Sequence, residues 1–449
     1  MLRHVALRSF GLRILVGKRQ ASRHSEVMAI RTRVVRGLAM LAFCAAAVAQ
    51  QPTAVRAVNG RLEEHGGIKL LRVWGTPAER GYAHGFLLGK EVAAVAIAEF
   101  TARFARQQPL LDEARRAVGR LIEYPDDARA EIEALFEGLV ASKADLQMPE
   151  LERTFDLKDL LVGNALDVFG LMGCSGFTVW GEQVVGGGVL TGRNFDWPFT
   201  GKHMLEHTII VVEHQPNGRA VASVTWPGYV GSVSGVSSEG IAAFLHVGSG
   251  RITRTPEPGS WPTAVAARAI LGESKAADGV AVFAEARRLL EYTSPPAGFL
   301  THVVLPQVPE GHAPDAVFET DSGSSVQADE PKVASVVTNH FHTRKDGRNP
   351  SKDSLDREQR VRTCIEGCLG AGDKLVSIEE AWTILASVQR GGGHAFGTLH
   401  SVVFRHEPWC FELRVAAHED KGLVAAPKSP RRFALTQKEL FATGESFGR

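Results

Sequence analysis

The apolar residues change their repeat at Cys174. From about residue 56 to 173 they recur with the three-to-four spacing of helices; from Cys174 onward they fall into short β-rich runs separated by glycine or polar turns. Residues 68–74 (Ile-Lys-Leu-Leu-Arg-Val-Trp) read as a strand that leads into a turn at 75–81, with Pro77 at a helix start. Helical spacing then runs from 78 to about 107, and again near 127–143 and 157–170, the last opened by Asp156 as N-cap. Beyond Cys174, strands are expected at 177–180, 184–195, 208–213, 220–226 and 240–245. Helices follow at roughly 262–271 and 277–292, then strands near 300–305 and 333–338, helices at about 356–369 and 378–389, and strands at 398–404 and 409–415. Strands in the middle with helices outside them indicate layered α+β rather than alternating βαβ units. The Pro-, Asp- and Ser-rich segment 308–332 reads as a surface insertion and the tail after about 418 as irregular. At 449 residues, 44% of them hydrophobic, the chain can bury a full core as one large domain or two ordinary ones.

The formal charge of +1 combines two unlike parts. Residues 1–49 hold nine Lys or Arg and one acid, Glu26, which leaves 42 basic and 49 acidic residues in 50–449. The body therefore has no basic excess to hold a phosphate backbone, and nucleic-acid binding is excluded as a reading. In the basic leader, Arg31, Arg33 and Arg36 precede the apolar run 37–48, and Ala47-Val48-Ala49 has the small-x-small form of a signal-peptidase site. This predicts a signal peptide over about 28–49 with Met28 as the true start, and export to the periplasm or exterior. No run approaches the ~18 apolar residues of a membrane span, so no integral segment is expected after leader removal. Cys44 follows bulky Phe43, against a lipoprotein signal. Cys364, Cys368 and Cys410 are too sparse for a disulfide scaffold and read as core thiols or at most one bridge.

Several generic motifs fail on inspection. The frame Gly187 to Gly192 resembles a phosphate loop, but Arg193-Asn194 stands where Lys-Ser/Thr is needed. The Gly-x-Ser-x-Gly frame at Gly444-Glu445-Ser446-Phe447-Gly448 has no β-rich run leading directly into it and so does not read as a nucleophile elbow. His203 and His207 are four apart without the general-base Glu of a metalloprotease and read as an exposed pair. His340 and His342 flank Phe341 with period-two spacing, so both can face one side of a strand end; by themselves they read as structural.

What remains is built around Cys174. Gly173-Cys174-Ser175-Gly176-Phe177 opens the β-rich half; after a turn at Gly186-Gly187-Gly188 comes Gly192-Arg193-Asn194-Phe195-Asp196-Trp197. A hairpin with that turn returns Arg193 and Asp196 to the side of Cys174. A cysteine at a mature N-terminus carries its own base, since a free α-amine titrates near ~7.7–8.0 and can take the thiol proton. A nearby guanidinium favours thiolate, and a carboxylate such as Asp196 would orient the ammonium. The same residues would equally make a buried thiol beside a strand-end ion pair.

This set resembles the N-terminal-nucleophile hydrolases of the isopenicillin N acyltransferase-like and choloylglycine hydrolase type. Three further segments match in order: Gly75-x-x-x-x-Arg80-Gly81-x-x-x-Gly85, Val336-Val337-Thr338-Asn339-His340-Phe341 and Gly397-Thr398-Leu399-His400-Ser401-Val402-Val403, over about 68–415. The resemblance implies a four-layer αββα sandwich, two antiparallel sheets between helical layers. It implies scission of Gly173–Cys174, leaving 50–173 as a mostly helical smaller chain and 174–449 as the catalytic larger chain of one domain. Carried over by position, Cys174 is the nucleophile, Arg193 and Asp196 support it, and Asn339 is an oxyanion donor.

Ser237 stands where the family reads the Asn of Gly-x-Asn-x-x-Gly and would help hold the oxyanion by its hydroxyl. Arg357, three residues after Ser354, resembles a second arginine of the bile-salt branch, a role Arg360 could fill instead. Trp197, Trp226, Tyr229 and Phe244 are candidate acyl-pocket residues. The expected activity is hydrolysis of a small-molecule N-acyl amide, a linear C–N bond, with acyl transfer from the same thioester; no metal or organic cofactor is implied. Alternatives are a secreted binding or scaffold protein on the same fold, supported by Ser237, and a phospholipase-like esterase.

Overall fold

Local sequence sets the helix starts. Thr76 accepts from the Glu79 N–H while the Glu79 carboxylate accepts from the Thr76 N–H, and this capping box opens helix Pro77–Leu87. Asp156 and Asp159 do the same for helix Leu157–Gly163. The structure, a computed structural model, describes residues 56–165, 173–198, 203–251, 256–322, 324–328, 334–370, 372, 374–391, 396–419 and 422–443. The leader with its expected signal peptide, and the end of the helix expected at 157–170, lie outside the described residues.

The expected helix 78–107 is two helices, Pro77–Leu87 and Gly89–Phe104, and a third follows at Gln108–Ala117. Tight packing explains the break. A Cβ on Gly89 would sit 1.9 Å from Ser142 Oγ, and one on Gly85 would sit 1.9 Å from the Leu135 carbonyl oxygen of helix Asp126–Ala141. The chain turns at Leu88 so that both helices can follow that neighbour.

Two sheets form the centre. The larger orders its nine strands Gly60–His65, Ile68–Trp74, Ile209–His214, Ala220–Thr225, Ser234–Ser237, Ala242–Val247, Phe299–Val304, Asp315–Asp321 and Ser324–Gln327. The smaller orders its six Ala334–Val337, Gly173–Trp180, Val189–Pro198, Phe396–Arg405, Cys410–Val415 and Arg432–Leu435. All these pairings are antiparallel except Ile68–Trp74 with Ile209–His214, which are parallel because the helical segment and the smaller sheet's first hairpin intervene between them. Two expectations are corrected here. The segment 308–332 carries two strands of the larger sheet, Asp315–Asp321 being largely buried, so its polar residues belong to a sheet edge and not to an insertion. The tail after 418 supplies the edge strand Arg432–Leu435.

The layering follows from what each face buries. Ile210, Val212, Ala222 and Phe244 of the larger sheet pack against Val402, Phe404, Phe411 and Leu413 of the smaller one. The larger sheet's other face buries helices Thr263–Glu273 and Ala281–Leu290 through Ile270, Leu271, Ala286 and Leu290. The smaller sheet's outer face buries helices Lys352–Gly370 and Ile378–Ser387 through Val361, Ile365, Trp382 and Leu385. This is the αββα sandwich. The N-terminal helices add a further core on Leu71, Val73, Ile209 and Val211, so residues from 57 onward form one unit. Cys174, Cys364, Cys368 and Cys410 are all free thiols.

Candidate active site

The hairpin that joins strands Gly173–Trp180 and Val189–Pro198 sets the site. Gly186, Gly187 and Gly188 have φ of 82°, 80° and 79°, left-handed backbone that residues with a Cβ rarely adopt. The resulting register pairs Gly173 with Asp196, Cys174 with Phe195 and Gly176 with Arg193. A Cβ on Gly173 would lie 3.3 Å from the Asp196 Cβ, so the peptide before the cysteine runs close against that side chain.

Cys174 is fully buried, its thiol held from two sides. Sγ donates to the Leu245 carbonyl at 3.4 Å and accepts from Arg193 Nη2 at 3.2 Å. Arg193, itself buried, is fixed by its other nitrogen to the Val233 carbonyl at 3.2 Å and to Ser234 Oγ at 3.1 Å. Ser234 in turn meets His400 Nε2 at 2.9 Å, and the His400 ring lies flat on Phe195 with centroids 4.8 Å apart. The backbone nitrogen of Cys174 donates to Asn339 Oδ1 at 3.0 Å. Arg357 joins the same group: it donates to Asn339 Oδ1 at 2.7 Å and to the Cys174 carbonyl. Asp196 accepts from Thr398 Oγ1 at 2.6 Å and lies 3.3 Å from the Arg390 guanidinium.

Cys174, Arg193, Asp196, Asn339 and Arg357 are thus brought together, and three expectations change in detail. Ser237 is not among them. Its hydroxyl accepts from the Ile241 N–H at 3.2 Å and closes the turn between strands Ser234–Ser237 and Ala242–Val247. On the second strand the backbone carbonyls of Leu245 and Val247 accept from Cys174 Sγ and the Asn339 amide, while the Phe244 side chain packs between the sheets, 6.0 Å from the Arg193 guanidinium. Asn339 turns its oxygen, not its amide, to Cys174; the amide donates to the Val247 carbonyl at 2.8 Å. In this arrangement Asn339 positions the nitrogen of residue 174. Lastly, burial pushes the Cys174 thiol up from its ordinary value, and Arg193 offsets only part of that, so the sulfur is held as a neutral thiol. Burial likewise raises Asp196 against the pull of Arg357, Thr398, Arg390 and Arg193. Thr398, Arg390, Ser234 and Ser354, whose Oγ accepts from the Asn339 N–H at 2.8 Å, were not singled out as site residues from sequence. Thr398 and His400 do lie in the quoted closing-strand segment; Ser234 and Ser354 carry no signal beyond being buried hydroxyls.

An apolar cavity of about 90 Å³ abuts this group through Phe195 and Val233. Trp197, Trp226 and Tyr229 line it, with Val95, Phe100, Phe155 and Leu160 supplied from before Cys174. Arg103 stands over the Trp197 ring at 5.1 Å, and Trp226 Nε1 is tied to the Met204 carbonyl at 2.9 Å. Among the described residues two sets could hold a metal ion, His203, Glu206 and His207, and His340, His342 and Glu358.

Residues 185–420 match the profile of the acyl-coenzyme A:6-aminopenicillanic acid acyl-transferase family, more than half of the chain and the part that carries Arg193, Asp196, Asn339 and Arg357. The chain belongs to that family, within the N-terminal-nucleophile group. A curated relative, Protein dcd1B of Dictyostelium discoideum, is 26% identical over 204 residues, 40% of this chain; the chain spans only 39% of that protein's length. Solved structures with some likeness include a single-residue mutant of conjugated bile acid hydrolase from Clostridium perfringens (10% identity, TM-score 0.38, 57% of this chain and 93% of that one). An N-acylethanolamine-hydrolyzing acid amidase orthologue from Caenorhabditis elegans follows (16%, 0.36, 52% and 93%). So does penicillin V acylase from Agrobacterium tumefaciens (17%, 0.30, 57% and 88%).

Proposed function

We propose that this chain is an exported amidohydrolase that cuts itself at Gly173–Cys174 and then cleaves linear N-acyl amides through a Cys174 thioester. The observation that carries the reading is the placement of both ends of residue 174: its nitrogen on Asn339 Oδ1 and its sulfur on Arg193, with Asp196 against Gly173. Once cut, the Cys174 nitrogen is a primary amine already held by Asn339. The amine takes the thiol proton, the thiolate attacks the substrate carbonyl carbon, and the tetrahedral intermediate expels the amine product, which leaves with the proton from the α-ammonium. Water, deprotonated by the same α-amine, then attacks the thioester, releasing the acid and restoring the thiol. Another amine in place of water gives acyl transfer. In the folded chain burial raises the thiol while the Arg193 guanidinium beside it pulls toward thiolate. The apolar cavity beside Phe195 fits the acyl part of the substrate. Export rests on the basic leader and its small-x-small site.

The test is intact mass and N-terminal sequencing of the purified protein beside its Cys174→Ala variant, then a screen of N-acyl amides. We expect two co-eluting chains, the larger beginning at Cys174, in the native sample and one uncut, inactive chain in the variant. A single chain in both, purified in full from the exporting cell, would refute the free α-amine and with it this mechanism.

A further inference from the structure

The turn that follows Asn339 brings two imidazoles and a carboxylate to one point. His340 and His342, on an extended segment past strand Ala334–Val337, point the same way and stack with centroids 4.6 Å apart. Glu358, on the neighbouring helix Lys352–Gly370, faces both: its Oε2 is 3.0 Å from His340 Nε2 and its Oε1 4.0 Å from His342 Nδ1. One donor atom from each residue lies within 4.8 Å of the others. We propose that His340, His342 and Glu358 form a binding site for a divalent transition-metal ion of the zinc class. This is independent of the amidohydrolase reading.

Four features support it. Two imidazoles and one carboxylate are a donor set suited to zinc, cobalt or nickel, and tetrahedral bonds of roughly 2.0–2.2 Å ask the three donors to draw in by only about an ångström. His340 is oriented from behind, as metal-binding histidines are: its Nδ1 meets Ser354 Oγ at 2.9 Å and Thr338 Oγ1 at 3.1 Å, which leaves Nε2 for the ion. The backbone that carries His342 is also preset. The Glu319 carboxylate accepts from the N–H groups of His342, Thr343 (2.9 Å) and Arg344 (2.8 Å) and so is already committed. Finally, the cluster is reachable: the His342 side chain is 32% exposed, against 5% for His340 and 14% for Glu358. His342 Nε2 has no hydrogen-bond partner among the described residues. Against the ion stands Arg362, 2.6 Å from Glu358 Oε1, which has to share that carboxylate or swing away.

The position gives the site a consequence. The Ser354 hydroxyl that holds His340 also accepts from the Asn339 N–H, so an ion on His340 would stiffen the segment that positions the Cys174 nitrogen. The other histidine pair, His203 and His207 with Glu206, lies on and just past the four-residue helix His203–Glu206 and serves as an internal control.

The experiment titrates the metal-stripped full-length protein with Co²⁺ and follows visible d–d absorption and stoichiometry by equilibrium dialysis. We expect one tight Co²⁺ per chain, displaced by Zn²⁺, in the native protein and in His207→Ala. His342→Ala and Glu358→Gln should weaken it at least ~100-fold with unchanged circular dichroism. No tight Co²⁺, or binding lost in His207→Ala and kept in His342→Ala, would overturn the proposal and leave His340 and Glu358 as a plain hydrogen-bonded pair.

Discussion

Arg357 donates both to the Cys174 carbonyl and to the Asn339 oxygen, and its fork spans the two groups that flank the proposed nucleophile. A lysine has one ammonium for both jobs and lacks the planar geometry. The Arg357→Lys protein should therefore cut itself roughly 10- to 100-fold more slowly while retaining its fold, read as the time course of the chain that begins at Cys174. Unchanged kinetics would make Arg357 a bystander. At this scale the sequence was informative about which residues meet: Cys174, Arg193, Asp196 and Asn339 are brought together, although Asn339 turns its oxygen and not its amide to residue 174. It misled where position and direction part. Ser237 occupies the motif's amide position, yet its hydroxyl only closes a turn, and Phe244 and Leu245 are neighbours that face opposite sides of one strand.

Among the elements, helices Pro77–Leu87 and Asp126–Ala141 meet backbone to backbone. Cβ atoms at Gly81, Gly85 and Gly138 would fall 2.0, 1.9 and 2.2 Å from the carbonyl oxygens of Glu131, Leu135 and Tyr82. Main-chain atoms cannot rotate away, so Gly85→Ala has to push the helices apart. We expect a loss of about 3 kcal/mol, measured as a lower urea midpoint with an unchanged slope. A neutral result would mean that the helices slide at no cost. Within the Gly75-to-Gly85 pattern, Gly81 and Gly85 are thus contact points between helices, Gly75 takes a positive φ of 94° in the turn before the helix, and Arg80 reaches the buried Glu131 at 3.2 Å. Periodicity showed these helices but not their boundary at Leu88: glycine recurs through the run at 81, 85 and 89, so Gly89 by itself does not mark the break.

Across the whole molecule, the part before Cys174 and the part after it are bound by buried polar contacts. Arg268 lies 3.0 Å from both Glu131 and Glu213. The Gly228 N–H donates to His84 Nε2 at 3.0 Å, which requires a neutral ring, and burial brings His84 down to about 4 despite the nearby Glu131. Between the ordinary value of about 6.5 and that of about 4, the unfolded chain holds a proton that the folded chain does not. Stability is therefore full above about 6.5 and falls as the pH drops toward 4, by at most on the order of 3 kcal/mol from this residue. His84→Gln keeps an acceptor for Gly228 and should show a flatter fall in urea midpoint between pH 7 and about 4.5; an identical fall would rule His84 out as its source.

The change of repeat at Cys174, the capped helix starts and the ordered motifs are local properties of the chain, and from them follow the α+β layering and the hairpin that returns Arg193 and Asp196 to Cys174; Asn339 was pointed to by the family resemblance. Helix caps and side-chain alternation act over a few residues, so they are written in the sequence. The parallel pairing of Ile68–Trp74 with Ile209–His214, the strands within 308–332, and the turning of the Asn339 oxygen toward Cys174 depend on partners far along the chain. The net direction of the thiol's pKa also belongs to the tertiary structure: sequence supplies Arg193, but only the packing of two sheets decides how much water is excluded around the sulfur.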